Sequence, residues 1–201
     1  MKYGFSKTLI VVIVAGILII GGGIGYLVGK NAGSEIGEQQ KANQDSQPNN
    51  IYVSDDFTIA PPVGWIQTHL PSTLVSYQNS KETQPKGSEA EKINFKSYMA
   101  ISSYSSNGKT LNEVVDLVKH QVESVAPGIS FAPLGEGTID NQPAKFIEAN
   151  VSMQNVDFKV MLAVVMKGDK YFTISSNTTV EKWPEYRAIF YSVVDSFKFK
   201  Y

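Results

Sequence analysis

The chain has 201 residues, of which 42% are hydrophobic and 18% charged, and its formal net charge is −1. That is enough for one domain of ordinary size with additional sequence around it. No basic excess is available to neutralise a phosphate backbone, so no nucleic-acid partner is expected, and the lack of cysteine excludes disulfides, thiolate metal sites, cysteine nucleophiles and a lipidated-cysteine anchor.

Residues 1–7 carry Lys2 and Lys7 and are expected to form a short cytoplasmic tail. Residues 8–29, TLIVVIVAGILIIGGGIGYLVG, contain no charge. As a helix they reach about 33 Å, enough to cross a hydrocarbon core about 30 Å thick. Signal peptides have shorter apolar regions, about 7–15 residues, although Ala32-Gly33-Ser34 offers a small-residue cleavage site. Length favours a retained transmembrane helix, with the N-terminus inside and the long C-terminal part exported. Gly21, Gly25 and Gly29 fall on one slanting groove of that helix, a surface through which two copies could associate. Gly4-Phe5-Ser6 resembles a type IV prepilin processing site, which makes a pilin-like surface protein a minor alternative, but Leu9 stands where prepilins place glutamate.

Residues 30–50 read as a flexible linker. Its second half, EQQKANQDSQPNN, has no apolar side chain larger than alanine and cannot bury enough surface to offset the entropy of ordering. The domain therefore begins near Ile51 and runs to Tyr201. FTIA (57–60) and LVSY (74–77) are short strand candidates around the turn-rich PPVGW. Residues 79–92 read as a long exposed loop. In 93–105, Ile93, Phe95, Met99 and Ile101 share one parity and are expected to face a core, with Lys96, Tyr98 and Tyr104 on the other side. Thr110 and Glu113 form a capping box that opens a helix to about Val125, and Ala-Pro-Gly stops it. Strands follow near 131–138, 144–153 and 156–166. Lys167-Gly168-Asp169 turns the last of them into KYFTISS (170–176). A second helix is expected from about Glu181 to Asp195, with Pro184 in its first turn. This order predicts an α+β domain, an antiparallel sheet flanked by helices.

Catalytic sets are not recognisable. His120 lies opposite the apolar stripe of its helix, and His69 sits in a loop with no second ligand at metal spacing. Asp55-Asp56 reads as a solvated turn, and Ser102, Ser103, Ser105 and Ser106 have no paired base. Asn150 and Asn177 open formal glycosylation triplets. No enzyme activity, metal or cofactor is expected. Tyr98, Tyr104 and Tyr171 have the parity opposite to the apolar residues of their strands, so they pack under the second helix or form an exposed binding patch.

FTIAPPVGW (57–65), LGEGTIDNQPAKFIEA (134–149) and GDKYFTISSNTTVEKWPEYRAIFYSVVDSFKF (168–199) together resemble PsbP-like domains over about residues 51–200. Asn141 stands where the family usually has glycine. The resemblance implies an α-β-α sandwich around an antiparallel sheet. The family's best-known member is an extrinsic subunit of photosystem II that helps retain calcium and chloride, and some bacterial relatives act in assembly or as binding modules. No position here matches a family ion site, and no photosynthetic role is expected. The combined reading is a membrane-anchored extracytoplasmic PsbP-like module, without catalytic activity, that binds a protein partner in the cell envelope. The alternative is a carrier that holds a small molecule or lipid in an apolar pocket of the domain.

Overall fold

A computed structural model describes residues 51–201. The expected tail, transmembrane helix with Gly21, Gly25 and Gly29, and linker lie outside the described residues. Strands β1 (Tyr52–Val53), β2 (Phe57–Ile59), β3 (Ile66–Thr68) and β4 (Val75–Gln78) come first, followed by the short helix α1 (Glu89–Lys92) and strand β5 (Tyr98–Ser105). Helix α2 (Leu111–Val125) precedes β6 (Ser130–Phe131), β7 (Gly135–Ile139), β8 (Gln142–Met153), β9 (Val156–Lys167) and β10 (Lys170–Thr179). Helix α3 (Trp183–Ser196) and β11 (Lys198–Phe199) close the domain.

The large sheet has strand order β3-β4-β5-β10-β9-β8-β6, with β7 added onto β8, and every pairing is antiparallel. Its centre is β8-β9-β10, joined by two-residue turns. At the β8–β9 turn Gln154 and Asn155 have φ of 52° and 60°, and at the β7–β8 turn Asp140 and Asn141 have 48° and 62°. Two consecutive positive φ values match the right-handed twist of a hairpin. Asparagine tolerates that conformation better than most residues, so Asn141 fits the turn without a glycine.

Alternation along β9 divides the core in two. Val156, Phe158, Val160, Leu162 and Val164 face α2 and pack on Val114, Val115, Val118 and Val122. Met161, Ala163 and Val165 face the opposite way, toward Tyr186, Phe190, Val193 and Val194 of α3. The two long helices therefore cover opposite faces of the sheet. A second, three-stranded sheet (β1-β2-β11) extends the α3 side, where Phe57 stacks on Phe197 with ring centroids 4.9 Å apart. The capping box of α2 is present, with Glu113 N–H donating to Thr110 Oγ1 and Thr110 N–H to Glu113 Oε2. These bonds to Thr110 hold the Glu113 carboxyl below its ordinary value. Pro184 occupies the first turn of α3.

Three expectations need correction. The single parity over 93–105 fails, because Ile93 and Phe95 pack on the α2 side while Met99 and Ile101 pack on the α3 side. Helix α1 and a left-handed residue, Asn94 (φ 51°), precede β5, so an alternation counted from Ile93 is out of step. Residues 79–92 are not simply an exposed loop, since they include α1 and the buried Glu82, Gln84 and Ala90. The expected strand over 131–138 is two strands, β6 and β7, and the very short β1, β3 and β11 carried no recognisable pattern of their own.

Phe190 is fully buried and packs against Trp65, Trp183 and Tyr186, with ring centroids 5.7–6.1 Å away. Phe190→Ala should lower unfolding free energy by about 3–5 kcal/mol, and Thr110→Ala by about 1 kcal/mol through loss of the cap. Urea denaturation followed by far-UV circular dichroism measures both; a smaller loss for Phe190→Ala than for Thr110→Ala would contradict the packing described.

Candidate binding site

The three tyrosines lie on the α2 side of the sheet, not beneath the second long helix. Tyr98 and Tyr171 are buried and Tyr104 is partly exposed. Asn177 Nδ2 donates to Tyr98 Oη at 3.2 Å, and Tyr104 Oη donates to the Ser72 carbonyl at 3.2 Å. The Tyr104 and Tyr171 rings lie 5.6 Å apart. Burial, helped by Tyr104, pushes the Tyr171 phenol up to about 12. Two of the three rings are thus core. His69 is exposed, and His120, also exposed, places Nδ1 3.2 Å from Glu123 Oε2. Among the described residues no three His, Asp or Glu side chains converge as metal ligands. Asp56 pairs with Lys170 at 3.0 Å. Asn177 is buried, so its glycosylation triplet is out of reach, whereas Asn150 is exposed.

On the α3 side a polar band crosses the sheet beneath the start of α3. At its β5 end the buried Glu82 carboxylate accepts from Ser97 N–H and, at 2.9 Å, from Ser97 Oγ–H. Ser97 Oγ lies 2.8 Å from Thr178 Oγ1 on β10. Above them Asn79 Nδ2 donates to Tyr186 Oη at 2.8 Å. Burial, to which nearby Glu82 adds, pushes the Tyr186 phenol up to about 12 despite that donor. Lys159 on β9 pairs with Thr178 of β10 on one side and with Asn150 of β8 on the other, and it continues the band toward β8. Its Nζ meets Glu148 Oε2 at 2.9 Å and lies 5.3 Å from the Trp183 ring centroid. Tyr191 Oη donates to Glu148 Oε1 at 3.0 Å, and Arg187 packs over Tyr191.

At the same end of the domain a cleft of about 190 Å³ opens between α1 and the β8–β9 turn. Its walls include Gln84, Ser88, Glu89, Asn155, Asp157, Thr179 and Glu181, with no Lys or Arg. Ser88 caps α1 by accepting from Glu91 N–H at 3.1 Å. The spacing S-x-x-E at 88–91 repeats the T-x-x-E signal at 110–113, and it was the available clue that 79–92 holds more than a loop.

The PsbP family model matches residues 50–199. The chain belongs to the PsbP family. The solution structure of cyanobacterial PsbP (CyanoP) from Synechocystis sp. PCC 6803 is similar at a TM-score of 0.57 and 17% identity, covering 82% of this chain and 99% of that one. The crystal structure of LpqN, involved in cell envelope biogenesis of Mycobacterium tuberculosis, is similar at a TM-score of 0.56 and 10% identity, covering 77% and 87% of the two chains. At these identities the likeness is one of fold. Comparison with curated proteins gives no match.

Within the PsbP domain, Glu148 links β8, β9 and α3. Burial alone would raise its carboxyl, but Lys159, Tyr191 and Arg187 outweigh that effect and hold it below the usual range. A carboxyl lowered by folding stabilises above its unfolded value, about 4.3, and loses that contribution as pH falls through its folded value. Glu148→Gln should therefore cost about 1–3 kcal/mol at neutral pH. The gap from the unmodified protein should close below about pH 4. Urea midpoints measured from pH 3 to 7 test this; a gap that persists unchanged at pH 3 would contradict the charge network.

Proposed function

We propose that this protein is a single-pass membrane protein that displays its PsbP domain outside the cytoplasm, where the domain binds a protein partner of the envelope. The observation that carries the proposal is the uncharged 22-residue run at 8–29, followed by a polar linker that leads directly into the PsbP domain. LpqN, which shares the fold, is itself described as involved in cell envelope biogenesis, and that supports placing this domain in the same setting.

Binding is favoured over catalysis by how the polar groups are used. Ser97, Glu82, Thr178, Asn79 and Tyr186 bond to one another, and both histidines stand at the surface away from these groups. The cleft is polar and, at about 190 Å³, smaller than the roughly 300–1,000 Å³ of ordinary small-molecule sites. That supports a protein partner over a carried lipid or metabolite. Gly21, Gly25 and Gly29 offer a second copy a groove within the membrane.

Full-length protein should remain in the membrane pellet after carbonate extraction, and protease added from outside should remove the domain. A reporter active only outside the cytoplasm, fused after Tyr201, should be active. Release by carbonate, or a mature product that begins near Ser34, would overturn the anchored reading.

A further inference from the structure

Exposed apolar side chains are not spread evenly over the domain. Of the nine large hydrophobic residues exposed among the described residues, five fall within 51–74: Ile51, Val53, Val63, Ile66 and Leu74. Val63, in the turn closed by Trp65 N–H on the Pro62 carbonyl, is 95% exposed.

The fold gathers these residues on one side. β3 is the outermost strand of the large sheet and pairs only with β4, and β1 is an outer strand of the small sheet. Tyr52 Oη donates to the Leu74 carbonyl at 3.4 Å, which sets β1 beside the start of β4. Lys167 Nζ of β9 donates to the Lys200 carbonyl at 2.7 Å, so β11 lies toward the other side. Both outer strands, and the connection 60–65 that joins β2 to β3, therefore share one lateral side.

A second observation concerns charge. Residues 57–80 contain no Lys, Arg, Asp or Glu, in a chain that is 18% charged. Outer strands that face water are ordinarily guarded by charged side chains, and β3 has none. A side without charge enters an apolar medium with no ion to desolvate. Half-buried Tyr52 and Trp65 add amphipathic rings of the kind that favour the boundary between hydrocarbon and water.

What covers this side follows from where the chain enters the domain. Ile51 itself lies on it, and residues 30–50 separate it from the uncharged run at 8–29. A polar chain of that length spans about 25 Å as a random coil. The side at the junction is thus held close to the surface in which the run would lie. Under such a tether a shallow apolar contact suffices, because it forms within one molecule. A second copy pairing along β3 would gain little, since that strand has three residues.

We propose that Ile51, Val63 and Ile66 rest in the interfacial layer of the bilayer that carries the chain's own N-terminal segment. β1 and β3 then lie against lipid, and the opposite sheet edge stands in water. The inference rests on the anchored reading proposed above and gives the domain an orientation.

The chain has no cysteine, so single nitroxide labels can be placed in the full-length protein, held in nanodiscs of phosphatidylcholine. At Val63→Cys, collisions with oxygen should exceed those with a water-soluble nickel chelate. At Leu134→Cys, beside the opposite edge strand β6, the nickel chelate should dominate. Adding Ile66→Asp should return the label at 63 to the ratio seen at 134, with the unfolding midpoint unchanged. Sodium chloride should leave the lipid contact intact, because no charge holds it. Equal nickel access at 63 and 134 would overturn the proposal. So would protection of the label at 63 from both reagents, which reports a protein contact, a second copy included. A label at Leu18→Cys reads the anchor separately. Lipid there with water at 63 overturns this inference alone, and water at both overturns the anchored reading as well.

Discussion

The central sheet is buried on both faces, and the remaining architecture follows from that constraint. Strand β9 presents valine, phenylalanine and leucine to one side and methionine, alanine and valine to the other. A sheet apolar on one face needs one cover, whereas this one needs two. Helix α2 supplies the first with a row of valines. Helix α3, together with the small β1-β2-β11 sheet, supplies the second with aromatic rings. The two covers therefore pack differently. Valines of α2 pack on the β8–β9 face, while beneath α3 Trp65 meets Tyr186 and Phe190 edge-on and Tyr186 stacks on Phe190.

Two sets of polar groups within this two-faced core are bonded among themselves. Glu82, Ser97 and Thr178 bond across two strands and an incoming loop. Glu148 is reached by Lys159, Tyr191 and Arg187. Burying charge without such partners would be costly, and so both networks are tied to backbone or to the opposing charge. The end of the domain where these networks lie also holds the cleft between α1 and the β8–β9 turn, whose charged wall residues Glu89, Asp157 and Glu181 are all acidic.

Much of the fold was legible before any coordinates. The alternation of β9, the Thr110 capping box, the Gly168 turn and the proline at the start of α3 are local signals, each set by one residue's neighbours along the chain. The short strands were not legible, because two or three residues carry no period. The tyrosine row shows the limit of parity arguments. Parity correctly separated Tyr98, Tyr104 and Tyr171 from Met99 and Ile101, but both sides of the strand are apolar, and which helix covers which side cannot be counted from alternation. The cleft was hidden for a similar reason: Gln84, Asp157 and Glu181 are distant in sequence and polar, and nothing in their own neighbourhoods marks them.

The sequence by itself determined the antiparallel α+β character and the uncharged run ahead of the domain, for which composition and short-range periodicity suffice, and the resemblance of residues 57–65, 134–149 and 168–199 to PsbP-like domains pointed to the family. Tertiary structure alone decided which face each helix covers, the burial of Tyr98 and Tyr171, and the placing of Gln84, Asp157 and Glu181 around one cleft. Those outcomes depend on contacts between residues far apart in the chain, where the free energy of burial and charge is settled by neighbours that no local pattern specifies.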